Sequence, residues 1–354
     1  MKILRIVVMG LLAASGMAAA FGPVVCKGQQ AMAPGGEGGK PGLAISELAN
    51  PELANPELAN PELAILDTDI GDDIDDAFAL ALLLRSPEVK LLGITTAYGD
   101  TGLRARLTDR YLAAVHRNDI PVAVGRQTTH SNVFSQAAYA RQEPEHTHPE
   151  AVKFMLDQIK SHPGQITLIA IGPLVNVQDA IARDPATFRK LKRVVMMGGS
   201  VYRGYGLDAD GKPKPPEPEW NIDRDPEGAM ALLASGVPIY MMPLDSTQVP
   251  LEGPKRERIF AAGSPLTDQL TLLYHQWMGG TDNHSPTPTL FDPVAAAYAI
   301  HPELCPMTPL RLQVDEKGST RPVEGAPNAN VCLKSDEEAF LKLLLDRVAS
   351  TGTK

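Results

Sequence analysis

Cysteine, positive charge and long apolar runs are all in short supply in this chain of 354 residues. With only three cysteines, it is not a disulfide scaffold of the kind that holds small secreted domains together, so a hydrophobic core must supply the stability. Lys and Arg number 33 against 42 Asp and Glu, a net charge of −9. No basic patch stands out, which argues against nucleic acid as a partner. Beyond the first twenty residues no segment is apolar enough to span a bilayer.

The N-terminal part reads as processing and spacer sequence. Met1–Ala20 has a basic start (Lys2, Arg5), an apolar stretch from Ile6 to Leu12 and small residues at Ala18, Ala19 and Ala20. This is the pattern of a secretory signal peptide cleaved after Ala20, and it predicts an exported protein, periplasmic or secreted. Pro23-Val24-Val25 ahead of Cys26 lacks the small residues that a lipid-attachment site needs. Residues 21–63 form a linker rich in Gly, Gln, Pro and Ala that ends in an internal repeat, Ser46-ELAN, Pro51-ELAN, Pro56-ELAN, Pro61-ELA. A five-residue period with Pro in nearly every copy matches neither helix nor strand, so the tract is a spacer. The remaining chain, 64–354, is long enough for one large catalytic domain.

Within that domain the chain is organised around Ile65–Leu84, ILDTDIGDDIDDAFALALLL, where six aspartates (67, 69, 72, 73, 75 and 76) fall within ten residues. Ile65 and Leu66 close a buried strand, and Ala77–Leu84 reads as a helix buried on most faces. Asp75 and Asp76 occupy its first turn, where the helix dipole favours negative charge. Asp67 and Asp69 point the same way by strand alternation. One or two such acids would be a solvated turn with helix caps. Six in so small a volume repel one another, and a hard divalent cation is the simplest remedy.

Strand and helix alternate after this motif. Strands are predicted at Val89–Tyr98, Ile120–Val124, Ile166–Ile171, Val194–Met197 and Ile239–Met242, with edge strands at Leu310–Val314 and Val331–Lys334. Helices are predicted at Thr101–Asn118, Glu150–Ser161, Val177–Arg183, Pro226–Ala234, Asp292–Ile300 and Glu337–Ala349. The fold class is therefore α/β, a mostly parallel open sheet with helices on both faces. Asp67, Asp69, Gly99-Asp100, Ile171-Gly172, Met197-Gly198-Gly199 and Asp245 collect at strand carboxyl ends, where such sheets bind ligands. Cys305 and Cys332 flank the two late strands and are placed to pair.

The ordered set ILDTDIGDDIDDA, GITTAYGDT, LIAIGPLVN, VVMMGG, EWNIDRDPEGA and LFDPVAAAY resembles the inosine–uridine preferring nucleoside hydrolases over essentially all of 65–350. The resemblance implies a Ca²⁺-dependent N-ribohydrolase that splits a nucleoside into free base and ribose, assembled as a homodimer or homotetramer. It implies metal ligands at Asp69, Asp76, the backbone carbonyl of Ile171, and Asp292, with Asp69 also the general base for the attacking water. It places Asp75, Met197, Glu219 and Asn221 around the ribose, and Asp100 beside ribose and base.

Two departures from the family pattern follow. The Asp75-Asp76 pair lies six and seven residues after Asp69 rather than four and five, so a two-residue insertion is expected and Asp73 becomes a further candidate ribose contact or ligand. Many purine-cleaving members have His before the distal aspartate, where this chain has Phe291. Trp277, His275 and His284, in the preceding segment, are the candidates for the leaving-group side. Two other readings compete. Leu66-Asp67-Thr68-Asp69 after an apolar strand also suits a phosphatase of the haloacid-dehalogenase type with Asp67 as nucleophile. Phe291 and the stretched acidic loop suit a secreted nucleoside- or ribose-binding protein without catalysis.

Overall fold

A computed structural model describes residues 60–129, 132–280 and 285–350; the leader, the linker, most of the repeat and His284 lie outside them. Nine strands form one sheet: β1 (Glu62–Thr68), β2 (Val89–Thr96), β3 (Val122–Val124), β4 (Ile166–Ala170), β5 (Arg193–Met197), β6 (Ile239–Met242), β7 (Met307–Val314), β8 (Thr320–Val323) and β9 (Ala329–Cys332). Their order is β3-β2-β1-β4-β5-β6-β9-β7-β8. The first seven in that order run parallel, and β7 and β8 are antiparallel additions. β1 begins inside the last copy of the pentapeptide repeat.

Central strands covered on both faces read as continuous apolar runs. β4, Ile166–Ala170, is buried at every residue. Alternate residues of β1 feed two separate cores. Ala64 and Leu66 join the helices Asp75–Leu84, Thr101–Ala114, Pro265–Gly280, Phe291–Ile300 and Glu337–Val348 on one face. Ile65 joins Ala151–Ser161, Val175–Arg183 and Pro226–Ala234 on the other.

The topology positions the site. From β1 the chain moves outward to β2 and β3, then returns across β1 to begin β4, so the direction of winding reverses between β1 and β4. Asp67 is level with Thr95 of β2 and Ala170 of β4, which brings three carboxyl ends together at that reversal. In an open α/β sheet this crevice is the ligand site.

The C-terminal strands differ from expectation. β9 lies inside the sheet between β6 and β7, and the short β8, which contains Pro322, takes the edge instead. Cys305 and Cys332 are bonded, with Cα atoms 5.5 Å apart and a sequence separation of 27. Closing a loop of that length stabilises by about 3–4 kcal/mol in the chain-entropy account. Reduction is therefore expected to lower the urea midpoint of unfolding. A thiol count on unreduced, denatured protein that finds both sulfhydryls free would remove the bond.

Candidate active site

The site begins at the end of β1. Asp67 does not open into it: its carboxylate is buried, accepting from Thr95 Oγ1 and from Asn176 Nδ2 at 2.7 Å. Those bonds tie β1 to β2 and to the helix after β4, so Asp67 braces the crevice floor. Burial still pushes its carboxyl up to about 6, against the pull of both donors. Two residues on, Asp69 faces the cavity. Gly172, just past β4, allows this: a Cβ there would come within 2.8 Å of Asp69 Oδ1.

Asp75 and Asp76 open the helix Asp75–Leu84 with no side-chain cap of their own. Asp292 sits in the first turn of Phe291–Ile300. These two helices pack against each other, and both bring small residues to the shared core, among them Ala77, Ala81, Ala295 and Ala296. Small side chains let the backbones approach, and both N-termini then meet at one point. Asp75 Oδ2 accepts the backbone N–H of Asp292 at 3.1 Å across 217 residues of sequence. Carboxylate oxygens of Asp75, Asp76 and Asp292 all lie within 4.8 Å of one another, and all three side chains are buried. Asp69 lines the same cavity without joining that closest group.

The electrostatics follow from the crowding. Burial first, then Asp75, Asp76 and Asp69, hold the Asp292 carboxyl well above its ordinary range. Asp75 and Asp76 are raised in the same way, by burial and then by their neighbouring aspartates. Asp69 is pushed up to about 7 by burial, opposed chiefly by the charge of Arg104 and also by a hydrogen bond from the Trp220 side chain. A set of hard oxygen donors this close, each penalised for its own charge, suits a divalent cation. Asn221 Nδ2 donates to the carbonyls of Ile171 and Met197, both at 3.1 Å, and leaves the Ile171 oxygen a second lone pair at the cavity edge.

The cavity is lined by Asp69, Asp73, Asp75, Asp76, Ile171, Met197, Glu219, Asn221 and Asp292 among the residues expected from sequence. Glu219 spends its carboxylate on the backbone N–H groups of Gly199, Asn221 and Ile222, capping the short helix Trp220–Arg224. Asp100 is elsewhere: it is exposed and caps the helix Thr101–Ala114 by accepting from Leu103 N at 3.0 Å. Of the leaving-group candidates, Trp277 and His275 are not among the described residues that line the cavity, and His284 lies outside the described residues. Trp277 packs beside Tyr274 in the core, and His275 is on the exposed side of the helix Pro265–Gly280.

The wall includes Tyr205 and Trp220, which sequence reasoning did not select, and Phe291, which it singled out only for standing where many members have His. Tyr205 meets Phe291 edge-on at 6.0 Å, and its hydroxyl accepts the Trp220 backbone N–H at 2.9 Å. Of the two missed residues, Trp220 alone had a signal, since it stands between the selected Glu219 and Asn221. A second, larger cavity lined by Leu83–Pro87 and Ala262–Leu266 has no carboxylate in its wall.

Fold and site together define an open-sheet α/β enzyme with a buried carboxylate cup at the sheet's switch point. The model of the family "Inosine-uridine preferring nucleoside hydrolase" matches residues 64–342, and the chain belongs to that family. It is 30% identical to the pyrimidine-specific ribonucleoside hydrolase RihA of Citrobacter koseri, over 80% of this chain and 97% of that one. It is 28% identical to probable uridine nucleosidase 2 of Arabidopsis thaliana, over 80% and 96%. Among solved structures, a plant nucleoside hydrolase, PpNRh1, superposes with a TM-score of 0.72 at 25% identity, over 82% of this chain and all of that one. Membership makes the chain a metal-dependent hydrolase of the N-glycosyl bond of ribonucleosides. The phosphatase reading falls with it, for a second reason too: a nucleophile must be reachable, and Asp67 is shut in under Thr95 and Asn176.

Proposed function

We propose that the ion is Ca²⁺ and that Asp69 is the general base of ribonucleoside hydrolysis. The observation that carries this reading is the convergence of Asp75, Asp76 and Asp292, acids from opposite ends of the domain. Asp76 and Asp292 would hold the ion, with Asp69, the Ile171 carbonyl and Asp75 at its margin. So many oxygens favour Ca²⁺, which takes six to eight, over Mg²⁺, which demands a strict octahedron and keeps its waters. When bound, such an ion neutralises the carboxylates, orients the sugar diol and acidifies a water.

The protein's own groups do the rest. Asp69 faces the cavity beside the converging carboxylates and is the residue placed to accept a proton from the attacking water. Asn221, its Nδ2 spent on two carbonyls, offers Oδ1 to a sugar hydroxyl. The buried negative cup opposes the positive charge that develops on the ribose ring as the C–N bond lengthens. Tyr205, Trp220 and Phe291 give the departing base an apolar, aromatic wall to lie against.

The direct test is incubation with inosine, uridine, adenosine and cytidine, with Ca²⁺ and with chelator, followed by assay of reducing sugar. Release that depends on the ion is expected. No release from any of the four with Ca²⁺ present defeats the reading. Export is proposed on the leader pattern of Met1–Ala20; N-terminal sequencing of the mature protein would show a start at Phe21, and an intact Met1 would overturn it.

A further inference from the structure

The backbone of the acidic loop between β1 and the helix Asp75–Leu84 is held from two sides. On the inside lies Arg104, from the first turn of the helix Thr101–Ala114, with none of its surface exposed. A helical side chain leans back toward the helix N-terminus, and here that aims the guanidinium at the strand ends. Nε donates to the Tyr98 carbonyl at 2.8 Å. Nη1 donates to the carbonyls of Asp69 and Ile70 and to Asp72 Oδ1, and Nη2 completes a fork on Asp72 Oδ2 at 3.1 Å. Asp72 lies in the middle of this loop.

On the outside, Ser135 Oγ donates to the Asp72 carbonyl and Gln136 Nε2 to that of Asp73, both at 2.7 Å. The Phe134 ring lies 5.1 Å from the guanidinium carbon of Arg104. It also covers Gly71, whose φ of 128° and lack of side chain admit it: a Cβ would fall 2.2 Å from Phe134 Cε2. Tyr98 has a φ of 59°, unusual for a residue with a Cβ. Its ring packs edge-on to Trp220 at 6.2 Å, and Trp220 lines the cavity together with Asp69. Arg104 thus touches the backbone of Asp69 directly, and through Tyr98 it reaches the aromatic wall of the same cavity.

We propose that Arg104, paired with Asp72, is a positioning residue that sets where the Asp69 carboxylate sits. The loop has no regular structure of its own to do this, and the guanidinium fork reaches four acceptors that no ammonium can reach together. The inference rests on Asp69 being the base. A displacement of about 1 Å at a reacting group costs on the order of 10²-fold in rate.

The test compares Arg104→Gln, Arg104→Lys, Asp72→Asn and Asp69→Asn on one ribonucleoside at saturating Ca²⁺. Arg104→Gln should lower kcat roughly 10²-fold with KM changed by less than about threefold, because the groups that hold ribose are untouched. Arg104→Lys should recover part of this, and Asp72→Asn should cost about tenfold in kcat. If Arg104→Gln fails to fold, Arg104→Lys and Asp72→Asn carry the test. Folded variants with kcat within about twofold of the parent, even with a lowered Tm, overturn the proposal. If Asp69→Asn is inactive while the Arg104 variants are normal, only the positioning role is lost. If Asp69→Asn itself is fully active, the base assignment fails and this inference fails with it.

Discussion

Asp69→Asn is expected to lower kcat by roughly 10²–10⁴-fold, the usual contribution of a positioned general base, while leaving the metal-free protein at least as stable as the parent. Both halves come from the same fact. The Asp69 carboxyl is raised to about 7 chiefly by burial, so above that pH its charge is held in the folded state at a cost in stability. An amide of the same shape removes the cost and cannot take the proton. Loss of turnover with an unchanged or higher Tm in chelator separates a chemical role from a structural one. A variant that keeps kcat within about threefold, or one that simply unfolds, would refute this account of the site.

Removing the ion should invert the pH dependence of stability. Asp67 and Asp69 have folded-state carboxyls near 6 and 7, and Asp75, Asp76 and Asp292 are also raised. All sit above an unfolded value of about 4. Between about pH 4 and 7 the folded, metal-free protein therefore binds more protons than the unfolded chain, and its stability rises as pH falls through that window. A Tm roughly 5–10 °C higher at pH 5.5 than at pH 8 is expected in chelator, for several kcal/mol of relieved repulsion. With the ion bound the ligands are ionised and neutralised, and protons compete with the metal, so the slope reverses. Ion pairs such as Lys153–Asp157 hold their carboxyl below its ordinary value and titrate beneath this window. Thermal melts at several pH values, with and without Ca²⁺, check it. A metal-free Tm that is flat or falls on acidification would sink the idea.

Much of the site was legible because the relevant signals are local. The strand into Asp67 and the helix out of Asp75 are each announced by apolar runs, and the structure places them at Glu62–Thr68 and Asp75–Leu84. The helix Pro265–Gly280 was not predicted, although Leu266, Leu270, Leu273, Tyr274 and Trp277 recur at helical spacing within it. That spacing makes Trp277 a core residue, which is why it stays out of the cavity. Tyr205 was not readable, because it comes from an irregular loop whose direction no periodicity records. Nor was Arg104: charged side chains are exposed by default, and nothing near it in sequence shows that four acceptors await it.

What the amino-acid order determined by itself was a parallel-sheet domain with acids crowded at the end of its first strand. Periodicity encodes which side of an element is buried, and that information is complete within ten or fifteen residues. Only tertiary packing decided which acids share a volume. Asp75 meets Asp292 because two alanine-rich helices can approach closely at their N-termini, whereas Asp67 is turned aside into bonds with Thr95 and Asn176. Convergence of distant carboxylates is a property of how helices pack, and no local pattern carries it.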